Sequence, residues 1–246
     1  MKILDVRVDF VGMKGAIEKA FALDGGCIFT PNAVMIDRAR GDFEFRKILN
    51  SASLNLPDSS GVTLAARVLY GRKAEKVSGV DFGLALMREC VKRGEGVFLL
   101  GGESGVALCA AENLRKKIDG LKIVGTCDGF SELSGAAERI RESGARFALV
   151  CLGSPMQEKW IAENMKECPG CVFIGLGGSI DVYAGRVRRA PKALSAIGLE
   201  WAWRMMLQPK RLKNLPALFR FFFSVFVQRR SKRRKSREKS RKIKQN

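Results

Sequence analysis

Phe147-Ala148-Leu149-Val150-Cys151-Leu152-Gly153-Ser154-Pro155-Met156-Gln157-Glu158-Lys159-Trp160-Ile161 changes its hydrophobic rhythm part-way through. The unbroken apolar run 147–152 reads as a strand buried on both faces, and Gly153-Ser154-Pro155 ends it. From 157 to 166 the apolar positions recur at helical spacing. Working outward, the same order of strand, turn and helix repeats. Strands are expected at 27–30, 54–56, 97–100, 122–127 and 172–176, and helices at 80–92, 105–117 and 132–142. Strands alternating with helices predict an α/β fold, a Rossmann-like parallel sheet with helices on both faces.

Polar and glycine residues gather where these strands end. The segments are Thr30-Pro31-Asn32, Pro57-Asp58-Ser59-Ser60-Gly61, Gly101-Gly102, Asp128-Gly129, Gly153-Ser154-Pro155 and Gly177-Gly178-Ser179-Ile180-Asp181. Open parallel sheets bind ligands beyond the carboxyl ends of their strands, so these segments converge on one crevice. Glycine lets backbone N–H groups come close to a phosphate, and the helix N-termini that follow favour anions. No segment has the GxGxxG fingerprint, and any one alone would be only a tight turn. Together they point to a nucleotide or sugar-phosphate site.

Composition narrows the chemistry. The 246 residues are 46% apolar and 28% charged, as a globular chain should be. Histidine is absent, which excludes His-based triads, His general bases and His-ligated metals. Seven cysteines in apolar contexts suit free, core-type thiols in a reducing compartment, and Cys168-Pro169-Gly170-Cys171 reads as a turn before a strand. Asp5 interrupts any signal-peptide pattern at the N-terminus. The apolar stretch 215–227 carries Arg220 and is too short to span a bilayer. These features place the chain in the cytoplasm. Of a net charge of +19, more than half lies in 228–246, where eleven Lys and Arg face Glu238 alone.

The C-terminal part has its own character. A helix over 198–207 should break at Pro209, and a second should run from 209 to 228. On the second, Leu215, Leu218, Phe219, Phe222 and Phe226 fall on one face, with Lys213, Arg220 and Ser224 on the other. An aromatic face beside cations is the pattern of a helix lying in a membrane interface; packing back on the core is the alternative. The expected organisation is an α/β catalytic core over 1–196, a helical membrane-associating appendage over 197–228 and a disordered polybasic tail over 229–246.

Several stretches are specific enough to suggest a family. The opening segment is one. Others are Gly175-Leu176-Gly177-Gly178-Ser179-Ile180-Asp181-Val182-Tyr183-Ala184-Gly185, Arg188-Arg189-Ala190-Pro191, Gly198-Leu199-Glu200-Trp201 and Gln208-Pro209-Lys210-Arg211. With Thr30-Pro31-Asn32, Pro57-Asp58 and Val77-Ser78-Gly79-Val80-Asp81, they resemble the WecG/TagA/CpsF glycosyltransferases in the same order, over about residues 1–215. The resemblance implies sugar transfer from a UDP-sugar to a polyprenyl-diphosphate-linked acceptor at the inner face of a bacterial membrane. N-acetylmannosamine moving to undecaprenyl-diphosphate-linked N-acetylglucosamine, as in teichoic acid synthesis, is the type reaction. UDP-hexose or UDP-uronate donors for capsule or exopolysaccharide are alternatives. Inversion at the anomeric carbon, independence of metal and no cofactor are also implied, and a homo-oligomer is compatible with it.

Site residues follow from the same resemblance. Asp58 matches the proposed base, although Asp after Pro is also a common cap at a helix start. Thr30, assigned to catalysis, and Asn32 match a motif touching sugar or acceptor, or else cap a helix that begins with Pro31. Gln157, also assigned to catalysis, matches a glutamine placed to hydrogen-bond donor sugar or phosphate; Asp181 matches a nucleoside-contacting acid, or serves an Asx turn. Gly101, Gly102, Gly153, Gly177 and Gly178 line the substrate crevice. Lys76, Arg204 and Arg211 match basic positions that would stabilise the departing diphosphate, though each alone reads as a solvated charge. The family usually carries Arg at the positions of Lys76 and Asn214, and Asp-Gly-x-Gly where this chain has Asp58-Ser59-Ser60-Gly61. Lys lacks the bidentate fork of Arg. A rival reading from another class is a nucleic-acid-binding α/β protein that neutralises phosphates with its tail, but the core's strand-end glycines and carboxylates argue against nucleic acid as a partner.

Overall fold

Six strands run parallel in one sheet: β3 (Gly26–Phe29), β4 (Leu54–Asn55), β5 (Gly96–Gly101), β6 (Lys122–Cys127), β7 (Phe147–Cys151) and β8 (Val172–Gly175), in the spatial order β4-β3-β8-β7-β5-β6. The computed structural model describes residues 1–191, 194, 200–207 and 209–243, and the backbone alone for Arg204, Lys210, Arg211, Arg233 and 235–243. The α/β reading holds, with strand boundaries within a residue or two of those expected.

Side chains alternate between two cores along each strand, as the period of two requires. Cys27, Phe29, Phe98, Leu100, Ala148, Val150 and Phe173 enter one core. It is covered by α2 (Ala33–Gly41), α3 (Phe43–Ser51), α4 (Ser60–Tyr70), α7 (Ala136–Glu142) and α8 (Met156–Asn164). Ile28, Val97, Leu99, Phe147, Leu149, Val172 and Ile174 enter the other. There α1 (Met13–Phe21), α5 (Gly79–Arg93), α6 (Val106–Lys117) and α9 (Ser179–Tyr183) pack. In α5, Gly83 permits close approach, because a Cβ there would stand 2.3 Å from the Tyr183 hydroxyl.

The N-terminal hairpin β1 (Lys2–Ile3) and β2 (Val6–Arg7) lies outside this sheet and outside the sequence reading. Its two turn residues, Leu4 and Asp5, both have positive φ (47° and 67°). Asn-Gly is the usual signal for such a turn, so Leu-Asp concealed it.

Connections leave β5 toward β6 and β7 toward β8, in opposite directions from neighbouring strands. A crevice opens between their carboxyl ends. Gly101, the last residue of β5, has φ 130°, where a Cβ would lie 2.5 Å from the Cys151 carbonyl oxygen. Only glycine fits there.

The C-terminal region corrects two expectations. α10 (Glu200–Leu207) is followed by a 3-10 turn, Pro209–Asn214, and then by α11, which runs from Leu215 to Ile243, past the end expected at 228. Nor does α11 have one apolar face. Phe221 and Val225 are buried in the core beside α2 and α4, with Leu218 and Phe222 packed on its edge and Ser224 buried too. Phe219, Phe223 and Phe226 are 74%, 71% and 51% exposed on the opposite arc. Ser224 thus faces inward, and the core takes part of the aromatic set. Arg220 reaches α2, where its Nε and Nη2 donate to Asp37 Oδ2 at 3.0 and 2.8 Å. Among the described residues no helix is long and apolar enough to cross a membrane.

Candidate active site

The segments that leave β3, β4 and β8 meet around one backbone position, Gly79. Thr30 follows β3, and its buried hydroxyl donates to the Gly175 carbonyl of β8 at 3.1 Å. Asn32 caps α2 by accepting from the Val34 and Met35 N–H groups at 3.0 and 3.1 Å. Asp58 Oδ1 accepts from the Gly79 N–H at 2.7 Å. It therefore caps α5, while Ser59 caps Asp58's own helix α4 by accepting from Val62 N–H. A Cβ on Gly79 would stand 3.4 Å from Thr30 Oγ1, so Thr30 and Asp58 flank the same spot.

Gln157 is buried at the start of α8. Its Oε1 accepts from the Gly177 N–H at 2.7 Å, and its Nε2 donates to Glu158 Oε1 at 2.6 Å. Both ends of the amide are engaged, and they tie α8 to the Gly177-Gly178 turn.

The β5/β7 crevice is a cavity of about 370 Å³. Gly102, Leu152, Phe130 and Met156 give it backbone and apolar walls, and Asp181 and Arg186 supply its polar side. Phe130 stands 70% exposed on a loop that Asp128 holds. Asp128 accepts from the Ser131 hydroxyl and from the Phe130 and Glu132 N–H groups, and these bonds hold its carboxyl down at about 2. Arg186 pairs with Glu103 at 2.9 Å on the rim. The cavity joins a ring-sized apolar wall, a carboxylate and a cation.

Residues 1–235 match the model of the Glycosyl transferase WecG/TagA/CpsF family. The chain belongs to this family. The transferase is therefore an enzyme of the cell-surface polysaccharide type, moving sugar from a donor to an acceptor.

In the transferase the expected cations are placed unevenly. Lys76 Nζ donates to Glu200 Oε2 of α10 at 2.9 Å. Arg204 lies in α10 and Arg211 in the 3-10 turn after it, and their side chains fall outside the described set. Gly153 sits at φ 78° between β7 and α8, and Gly178 is the residue before α9. Asp81 and Arg189 form a bidentate pair at 2.6 and 2.8 Å. Burial raises the Asp81 carboxyl, but the bonds and charge of Arg189, with the charge of Lys76, hold it below its ordinary value. Both residues stood in quoted motifs, yet nothing in the sequence joined them across more than a hundred positions. Phe130, Met156, Arg186 and Glu158 were likewise missed as site residues. For Phe130 and Arg186 the signal was adjacency to strand-end motifs.

Thiol chemistry is disfavoured. Cys151 lines the cavity, but burial pushes its thiol up to about 12 despite facing Ile180 and Ser179 N–H groups. A thiol held there is a poor nucleophile. Among the described residues no three carboxylate or thiol side chains gather as metal ligands would.

Proposed function

We propose that the transferase moves N-acetylmannosamine from its UDP derivative to an undecaprenyl-diphosphate-linked N-acetylglucosamine, without a metal and with inversion. The observation that carries the donor reading is the cavity of Phe130, Leu152, Met156, Asp181 and Arg186. The uracil ring stacks on the Phe130 side, Asp181 accepts from the nucleoside, and the diphosphate lies over Gly101, Gly102, Gly153, Gly177 and Gly178 toward Arg186.

Asp58 then takes the proton from the acceptor hydroxyl as that oxygen attacks the anomeric carbon. A new C–O bond forms on one face, and the bond to the diphosphate oxygen breaks on the other. UDP departs with the electron pair. Thr30 and Asn32 border the acceptor side, and Gln157 shapes the donor side through Gly177. Lys76, Arg204 and Arg211 supply cations for the leaving charge once the C-terminal segment is seated.

The acceptor is a lipid, and the exposed arc of α11 suits a membrane surface. Phe219, Phe223 and Phe226 supply apolar contact, and the cations beyond Gln228 add about 1 kcal/mol each at best near an anionic leaflet. This reading makes the transferase a peripheral enzyme of the inner membrane face.

A panel of UDP-sugars offered with a polyprenyl-diphosphate N-acetylglucosamine analogue tests the assignment. Transfer from UDP-N-acetylmannosamine alone, lost in Asp58→Asn, is the expected result. Transfer from a UDP-hexose or UDP-uronate instead would replace the sugar, and absence of UDP binding would overturn the donor reading.

A further inference from the structure

Glu158 is the most enclosed carboxylate among the described residues, with none of its surface open to solvent. Its Oε1 accepts from Gln157 Nε2 at 2.6 Å, while its Oε2 is buried and makes no hydrogen bond. An ionised carboxylate would be costly in such a place unless fully paired. Burial raises the Glu158 carboxyl, outweighing the lowering by Gln157, Ser154 and the more distant Arg38 charge.

A glutamine amide can sit either way round, with oxygen or nitrogen toward a given partner. Here Gly177 offers an N–H, so the amide must present its oxygen. Glu158 reinforces this choice from the other end, because its Oε1 accepts from the amide nitrogen. We propose that Glu158 is a positioning residue: its buried carboxyl sets the orientation of the Gln157 amide, and the amide sets the Gly177-Gly178 turn that faces the donor. The consequence for donor binding rests on the function proposed above. The consequence for the turn does not.

Two variants separate the roles. Glu158→Gln keeps an acceptor oxygen at the same place without charge, and Glu158→Met keeps volume while removing the acceptor. Amide hydrogen exchange on the full chain, without substrate, reads the Gln157–Gly177 bond directly. E158M is expected to lose protection at the Gly177 N–H, and E158Q to restore it. In the transfer assay E158M should raise the donor KM about tenfold with kcat within about threefold, and E158Q should bring KM back to within about twofold of wild type. Unchanged Gly177 protection in E158M, or damage by E158Q equal to that by E158M, overturns the proposal. Loss of protection with no UDP binding even in the wild type would support the relay and refute the donor assignment instead. Should E158M not fold, Gln157→Met reads the same link: wild-type protection at Gly177 in Q157M overturns the relay, and lost protection with a raised donor KM supports it.

Discussion

At Asp58 one carboxylate caps α5 and, in the proposed reaction, also takes the proton of the acceptor hydroxyl. Substitution can pull the two roles apart. Asparagine caps about as well as aspartate, so Asp58→Asn should cost under about 1 kcal/mol in unfolding while transfer falls about 10²–10⁴-fold. Asp58→Ala should lose both the cap and the base. Thermal unfolding beside the transfer assay checks this. A carboxylate after Pro57 was legible in the sequence; the helix it caps was not, because Gly79 lies 21 residues further on. Glu158 carries a pH signature of the opposite sign from most carboxylates. Its folded value is raised, so the stability it contributes is present below the ordinary value of 4.5 and is lost as pH rises toward the folded value. The charges and dipoles acting on it are Arg38, Gln157 and Ser154. E158Q should therefore gain on the wild type in melting temperature as pH increases from acid to neutral, and equal curves would contradict a raised Glu158 carboxyl.

Among the elements, α11 shows how far periodicity reaches. Five phenylalanines lie between 219 and 226, so apolar residues surround the helix, and spacing alone does not say which arc meets the core. The packing decides: Phe221 lies inside while Phe219, Phe223 and Phe226 lie outside. Phe221→Ala should cost about 3–5 kcal/mol through lost burial and a cavity. Phe219→Ser, Phe223→Ser and Phe226→Ser combined should leave the melting temperature nearly unchanged and abolish flotation with anionic vesicles. If the triple variant still floats, the membrane reading of this arc fails. The alternation of strand and helix was legible by contrast, because the central strands β5, β7 and β8 are apolar runs that end at or near glycine.

At the scale of the molecule, the sheet order was not legible. It follows from which way each crossover turns, and no local pattern records the step from β4 across three strands to β5. The site inherits that blindness, since the β5/β7 crevice exists only in the finished sheet. The C-terminal region is fastened to the core by Asp81–Arg189, Lys76–Glu200 and Asp37–Arg220. Asp81 is held below its ordinary value, so its stabilisation is present above that value and is lost as pH falls through the folded one. Asp81→Asn should flatten the acid side of the stability curve, measured as melting temperature against pH.

α11 also runs beside α4 in the same direction. Phe222 lies 3.5 Å from where a Gly61 Cβ would be, and Lys232 sits over the Tyr70 ring at 3.7 Å. A turn earlier, Gln228 accepts from the Leu4 N–H of the hairpin. The ribosome makes α2 and α4 long before it makes the helix that covers them. A nascent chain therefore carries an open apolar seam while the rest of the sheet is being completed, the kind of surface that holdases grip and that drives aggregation when production outpaces them. Chains stopped before Leu215 should stay in that condition, and should be recovered bound to chaperones even where their sheet is fully formed.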